Sequence, residues 1–271
     1  MRLKVRHETT FDYNQPTLSA IQILRLTPRN HDGQFVKSWR VEVDADYRLY
    51  RDEDPYGNIT HIFSLDGPIT TLRVVVEGEV ETRNTHGIIS GTAERLPVGL
   101  WLRNSRHTQP DLAIRMFAKR LAAGEGGAIL PFLHALNDAV HSRIERDDAA
   151  TTRTAEESFA AKSGNVQDLA QIYIAACHAV KIPARYIAGY SLDADSMSNR
   201  PHAWAEAYVD RIGWIGFDPS ASMCTTDHYV RVACGPDAID TAPIRGATVG
   251  GHEESCNVQV QVTAGRALIE E

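Results

Sequence analysis

Apolar and polar positions alternate along the first third of the chain, as they do in strands with one buried face. Leu3, Val5 and His7 alternate with Arg2, Lys4 and Arg6, and Trp39, Val41 and Val43 with Arg40, Glu42 and Asp44. Leu72, Val74 and Val76 repeat the pattern with Arg73, Val75 and Glu77. Asp54, Pro55, Gly57 and Asn58 mark a turn before the strand-like run at 59–65. Several short strands joined by polar turns predict a β-sandwich-like domain over residues 1–82. Residues 83–110 carry no sustained period and read as a connection.

The period then becomes helical. Residues 111–122 carry Leu112, Met116 and Phe117 and stop before Gly124, Gly126 and Gly127. Ile129, Leu133, Leu136, Val140 and Ile144 form one stripe of a second helix. Thr154 and Glu157 have the spacing of a capping box, which predicts a short helix start. After Gly164 and Asn165, a helix is expected over 166–180, with Leu169, Ile172, Tyr173, Ala176 and Val180 on its apolar face. Pro183 ends it by disfavouring helical geometry at Ile182. Strand-like segments follow at 184–192, 202–209 and 213–218. Helices followed by antiparallel strands make residues 111–271 an α+β core of helices packed on a sheet, with the C-terminal strands expected to belong to it.

Composition narrows the function classes. Of 271 residues, 28 are Lys or Arg and 35 are Asp or Glu, a net charge of −7. That balance argues against nucleic acid as a partner, because phosphate binding needs a basic surface to displace counterions. The start of the chain lacks the apolar run of a signal peptide, and no stretch reaches the ~18 apolar residues of a membrane helix. The expectation is a cytoplasmic protein that does not enter membranes. Cys177, Cys224, Cys234 and Cys256 form no CxxC pair. They read as reduced thiols, and no metal site is expected although His228 lies near two of them. No phosphate loop or ligand cluster implies a cofactor, so none is expected.

Three positions in the second domain fit a catalytic geometry. The loop at 164–168 leads into a helix N-terminus, where free N–H groups and the helix dipole favour a thiolate or an oxyanion. His202 opens one strand after the polar loop at 193–200, and Asp218 closes the next. If those strands form a hairpin around 210–213, the carboxylate of Asp218 reaches one imidazole nitrogen of His202 and leaves the other as a base. From spacing alone, a His and an Asp hydrogen-bonded at a sheet edge is the favoured reading.

Longer motifs change that weighting. Gly164 to Ala170 reads Gly-Asn-Val-Gln-Asp-Leu-Ala, and Ile182 to Tyr190 reads Ile-Pro-Ala-Arg-Tyr-Ile-Ala-Gly-Tyr. His202-Ala-Trp204 and Gly213-Trp-Ile-Gly-Phe-Asp-Pro219 follow. In order and spacing these resemble the bacterial transglutaminase-like family, whose core belongs with papain-like cysteine proteases. The β-rich start resembles the family's N-terminal domain, and Pro243 to Gly246 with Gly250 and Gly251 its C-terminal end.

The resemblance implies a Cys, His and Asp triad that attacks a carboxamide and passes an acyl group to water or an amine. It places His202 and Asp218 on two triad positions and Val166 on the nucleophile position, where the family has Cys. An alkyl side chain makes no thioester. The resemblance therefore implies a scaffold that keeps the His–Asp pair without the nucleophile and binds a peptide, amide or protein ligand. Beside that pair, Gln167 reads as a residue that orients substrate and Trp204 as a groove wall, although a large aromatic on a strand is more often core. The alternative is an amide or ester hydrolase using water activated by His202, or a substitute nucleophile such as Cys224.

Overall fold

The computed structural model describes residues 1–44, 48–148, 151–192, 200–250 and 254–265. The loop expected at 193–200 falls, up to residue 199, outside the described residues, as does Gly251.

The alternation at the chain start builds strands far longer than expected. β1 (Arg2–Thr27) and β4 (Ile59–Thr82) run antiparallel as the centre of one sheet. β2 (Gln34–Val43) and β3 (Tyr50–Glu53) flank β4. The register between β1 and β4 shifts between Asp12 and Thr17. There the strands approach so closely that a Cβ on Gly67 would lie 2.2 Å from the carbonyl oxygen of Thr17. Beyond this point the sheet folds back on itself. Phe11, Tyr13, Leu72 and Val74 from one half share a core with Leu24, Leu26, Phe63 and Leu65 from the other. Long bent strands thus produce the sandwich-like packing that short strands were expected to make.

The connection is not structureless. β5 (Ile88–Ile89) adds to the second sheet, and a 3-10 turn (Val98–Leu102) buries Trp101. Helices α1 (Leu112–Gly124) and α2 (Ile129–Arg143) follow. A two-stranded parallel pair, β6 (Glu145–Arg146) with β7 (Ser163–Gly164), brackets α3 (Ala155–Ala161), which Thr154 and Glu157 start with a complete capping box.

α4 (Val166–Ala179) is the axis of the core. Eleven consecutive residues, Asp168 to His178, are buried. A helix covered on every side needs neighbours all round, and Ile114, Leu133, Leu136 and Phe159 of α1, α2 and α3 join its core cluster. Its sheet contains β8 (Ala184–Ser191), β9 (His202–Val209), β10 (Gly213–Asp218), β11 (Met223–Cys224) and β12 (Tyr229–Gly235), in the order β11-β10-β9-β8-β12. Tyr173 of α4 stacks on Phe217 of β10 at 5.4 Å.

The last two strands correct the expected grouping. β13 (Ile244–Gly250) and β14 (Glu254–Ala264) were assigned to the core, but both pair with β1 of the first sheet. Their partners are more than two hundred residues away, a pairing that local periodicity does not encode.

The two sheets meet over Leu3, Val5 and Val80 on one side and Tyr190, Val230 and Val232 on the other. Polar groups complete the junction. His7 Nδ1 lies 2.9 Å from the Tyr190 hydroxyl, and Gln34 exchanges two 2.8 Å hydrogen bonds with the Arg231 backbone. Within the core, Glu206 is fully buried and accepts from Arg185 and Arg231, each with an Nε contact of 2.7 Å. Burial opposes ionisation of Glu206, but the two guanidinium groups outweigh it and hold the carboxyl at about 2. Glu94 of the connection binds Arg185 at 2.9 Å, which ties residues 83–110 to the core. No helix among the described residues is long and apolar enough to cross a membrane.

Candidate active site

The β9–β10 hairpin turns at 210–212, and its register pairs Phe217 with Ala205. Asp218 therefore stands at the end of β10 with His202 diagonally across from it. His202 Nε2 lies 2.6 Å from Asp218 Oδ2. Asp218 is fully buried, and its other contacts are all donors. Ser220 donates from its backbone N–H (2.8 Å) and hydroxyl (2.7 Å) to Oδ1, and the Tyr229 hydroxyl donates to Oδ2 at 2.9 Å. Burial works to raise the Asp218 pKa. His202, Ser220 and Tyr229 outweigh it and keep the carboxyl below its ordinary value.

A carboxylate accepting at Nε2 favours the imidazole tautomer with its proton on that nitrogen. The lone pair then sits on Nδ1, for which the described residues supply no hydrogen-bond partner. Protonation at Nδ1 would create an imidazolium beside a carboxylate already in place. An arrangement of this kind can accept a proton at Nδ1.

Val166 begins α4, and the start of that helix is strongly fixed. Asn165 Oδ1 accepts from the N–H groups of Gln167 (2.9 Å) and Asp168 (3.1 Å), while Asp168 Oδ2 accepts from Asn165 N–H at 3.1 Å. This reciprocal cap is worth about 1 kcal/mol or more. Asp168 also accepts from Arg153 N–H at 2.8 Å, so its carboxylate serves the helix start and the preceding loop. Burial raises its pKa despite those donors. The N–H of Val166 is one of the first-turn donors that no helix carbonyl can satisfy.

Val166 and His202 line one cleft of about 460 Å³, at the junction of the two sheets. Asn165 and Gln167 continue its α4 wall, and Gln167 Oε1 accepts from the Thr152 hydroxyl. Arg146 and Arg200 stand at the same cleft, with Arg146 paired to Asp148. The facing wall comes from the first sheet: His7, Thr9, Cys256, Asn257 and Val258.

Two expected residues are placed elsewhere. Trp204 does not line the cleft. It is 1% exposed and packs with Trp101, Ile187, Trp214 and Tyr229 beneath the sheet. A large apolar ring on a central strand is more stable buried, and that corrects its reading as a groove wall. Cys224, the substitute nucleophile of the alternative reading, lies half-buried on β11 opposite Phe217 and is not part of the cleft wall. Burial pushes its thiol up, away from thiolate character. Cys177 is fully buried within α4, with its thiol pushed well up for the same reason.

The sequence reading missed the wall from β14. Cys256 is exposed and shares the cleft with His202. Only the pairing of β14 with β1 brings it there, and no local motif announces it.

Comparison with known proteins agrees with this architecture. Residues 3–81 match the family model for the bacterial transglutaminase-like N-terminal region, and residues 115–219 match that for the transglutaminase-like superfamily. An uncharacterized protein of Mycobacterium leprae is 27% identical, with 97% of this chain and 98% of that protein covered. An uncharacterized protein of Mycobacterium tuberculosis is 28% identical over 94% of this chain and 90% of its own. A solved structure named as a candidate cysteine protease from Cytophaga hutchinsonii has the same fold, with a TM-score of 0.77 at 20% identity over 97% of this chain and 90% of that one.

Proposed function

Because the chain belongs to the bacterial transglutaminase-like family, we propose that it keeps the family's cleft and His–Asp pair without its thiol chemistry, and uses the cleft to bind a peptide or amide ligand. One observation carries this reading. The side chain that opens α4, in the same cleft as His202, whose Nδ1 has no hydrogen-bond partner among the described residues, is the alkyl group of Val166. A proton acceptor without a proton donor cannot generate a thiolate, so no thioester forms at this position. The shape of the site, its first-turn N–H groups and its polar lining remain available for an amide carbonyl.

The test is a titration of the isotope-labelled protein with a blocked alanine pentapeptide carrying a central glutamine, with ammonia measured in parallel. Resonance shifts at Val166, Gln167 and His202 without ammonia release are expected. Ammonia release that a thiol-blocking reagent abolishes would contradict the proposal.

The placement of Cys256 favours a second reading, in which this thiol is the substitute nucleophile and His202 its base. Under that reading Cys256→Ser and His202→Ala would each abolish ammonia release. The cytoplasm is the proposed location, supported by four cysteines without a disulfide, as a reducing compartment keeps them.

A further inference from the structure

β14 is an edge strand: among the described residues it pairs with β1 alone. The direction of its backbone groups follows from one contact and the register. The Gly265 N–H donates to the Arg2 carbonyl at 2.7 Å. The pairing then runs unbroken from Leu3 with Ala264 to Tyr13 with Glu254, so Arg2 and Gly265 are an opposed, hydrogen-bonded pair. Antiparallel pairs alternate between hydrogen-bonded and non-hydrogen-bonded. Val258 is an odd number of residues from Gly265 and belongs to the second kind. Its N–H and C=O therefore point away from β1, out along the edge.

That edge faces the cleft. Cys256, Asn257 and Val258 all line it, although successive side chains in a strand point to opposite faces. His7 and Thr9 of β1 line it across the sheet face, and Asn257, which alternates away from Cys256 and Val258, extends the lining to the outer edge of β14. The side chain of Val258 packs into the junction core, which fixes the strand while its outward polar groups remain at the cleft.

Resting on the ligand class proposed above, we infer that the ligand is an extended peptide segment that adds to the sheet as a further strand, pairing its backbone with Val258 beside His202 and Val166. An exposed strand edge offers alternating donors and acceptors that an extended main chain satisfies and a small amide does not. The cleft volume of about 460 Å³ lies within the ordinary range for ligand sites.

The experiment uses the full chain and the same blocked glutamine pentapeptide, together with five analogues, each N-methylated at one residue. Strand addition uses only every second peptide N–H. Methylation should therefore weaken binding with a period of two, by roughly five-fold where a bond is lost. Val258→Pro removes the outward N–H without touching the ladder to β1 and should weaken binding similarly. Val258→Ala keeps that N–H and loses the same packing, so it measures the packing part of the effect, and Val258→Pro should weaken binding by several-fold beyond it. Binding that is indifferent to methylation at every position, with shifts still at Val166 and His202, would overturn strand addition and leave the proposed function standing. No binding of any peptide would overturn both. A dimer in sedimentation that peptide fails to dissociate would assign the edge to a second copy of the chain and overturn the inference.

Discussion

His202 Nε2 and Asp218 Oδ2 stand 2.6 Å apart, and the same carboxylate takes three further donors from Ser220 and Tyr229. Asp218 is thus a structural hub as well as the partner of the imidazole. Asp218→Ala should lower unfolding free energy by about 2–4 kcal/mol, because several buried donors lose their acceptor at once. Tyr229→Phe removes one donor only and should cost about 1 kcal/mol. Urea denaturation of both variants checks the ranking; equal effects would contradict it.

Glu206 lies between Arg185 and Arg231 with no exposure. Replacing one member of such a group leaves uncompensated buried charge, so Glu206→Gln should cost about 3–5 kcal/mol. The surface pair of Arg40 with Glu42 has both side chains more than half exposed. Removing it should change the melting temperature little.

Two histidines, His7 buried and His31 half-buried, set an acid limit. Burial holds His7 at about 4, and burial with Arg231 nearby holds His31 at about 4, both down from 6.5. Between those values the unfolded chain binds protons that the native one refuses, so stability falls as pH drops from 6.5 towards 4. Each group contributes a slope of up to about 1.4 kcal/mol per pH unit. Melting temperatures across that interval should show the fall, and His7→Gln should flatten it. An unchanged slope would contradict the assignment to His7.

The four thiols differ in access. Cys256 is exposed, Cys224 is half-buried, and Cys177 and Cys234 are buried. Iodoacetamide on the native protein should label Cys256 first, with Cys177 and Cys234 labelled only on unfolding. Peptide mapping by mass spectrometry reads the order. Dependence of the Cys256 rate on His202 would favour the second functional reading.

Local patterns carried much of the architecture. The stripe Ile129, Leu133, Leu136 and Val140, the cap at Thr154 and Glu157, and the hairpin between His202 and Asp218 all depend on neighbours close in sequence. The pairing of β13 and β14 with β1 was not legible, because alternation shows that a strand has two faces and not which strand lies beside it. The cleft wall formed by Cys256 and Val258 was invisible for the same reason. Trp204 was misread because a motif next to His202 suggested contact with ligand, whereas its place on a central strand puts the ring in the core.

The proposal that Val166 stands at the nucleophile position is tested most directly by Val166→Cys, which places a thiol at the start of α4 without requiring a known substrate. If Nδ1 of His202 is poised over that position, the new thiol forms an ion pair with the imidazolium. Its alkylation in the Val166→Cys, Cys256→Ser protein should then proceed rapidly near pH 6, well below the ordinary thiol value of about 8.5, and lose that acid-side rate when His202→Ala is added. A new thiol that titrates like a free cysteine, with or without His202, would contradict the account.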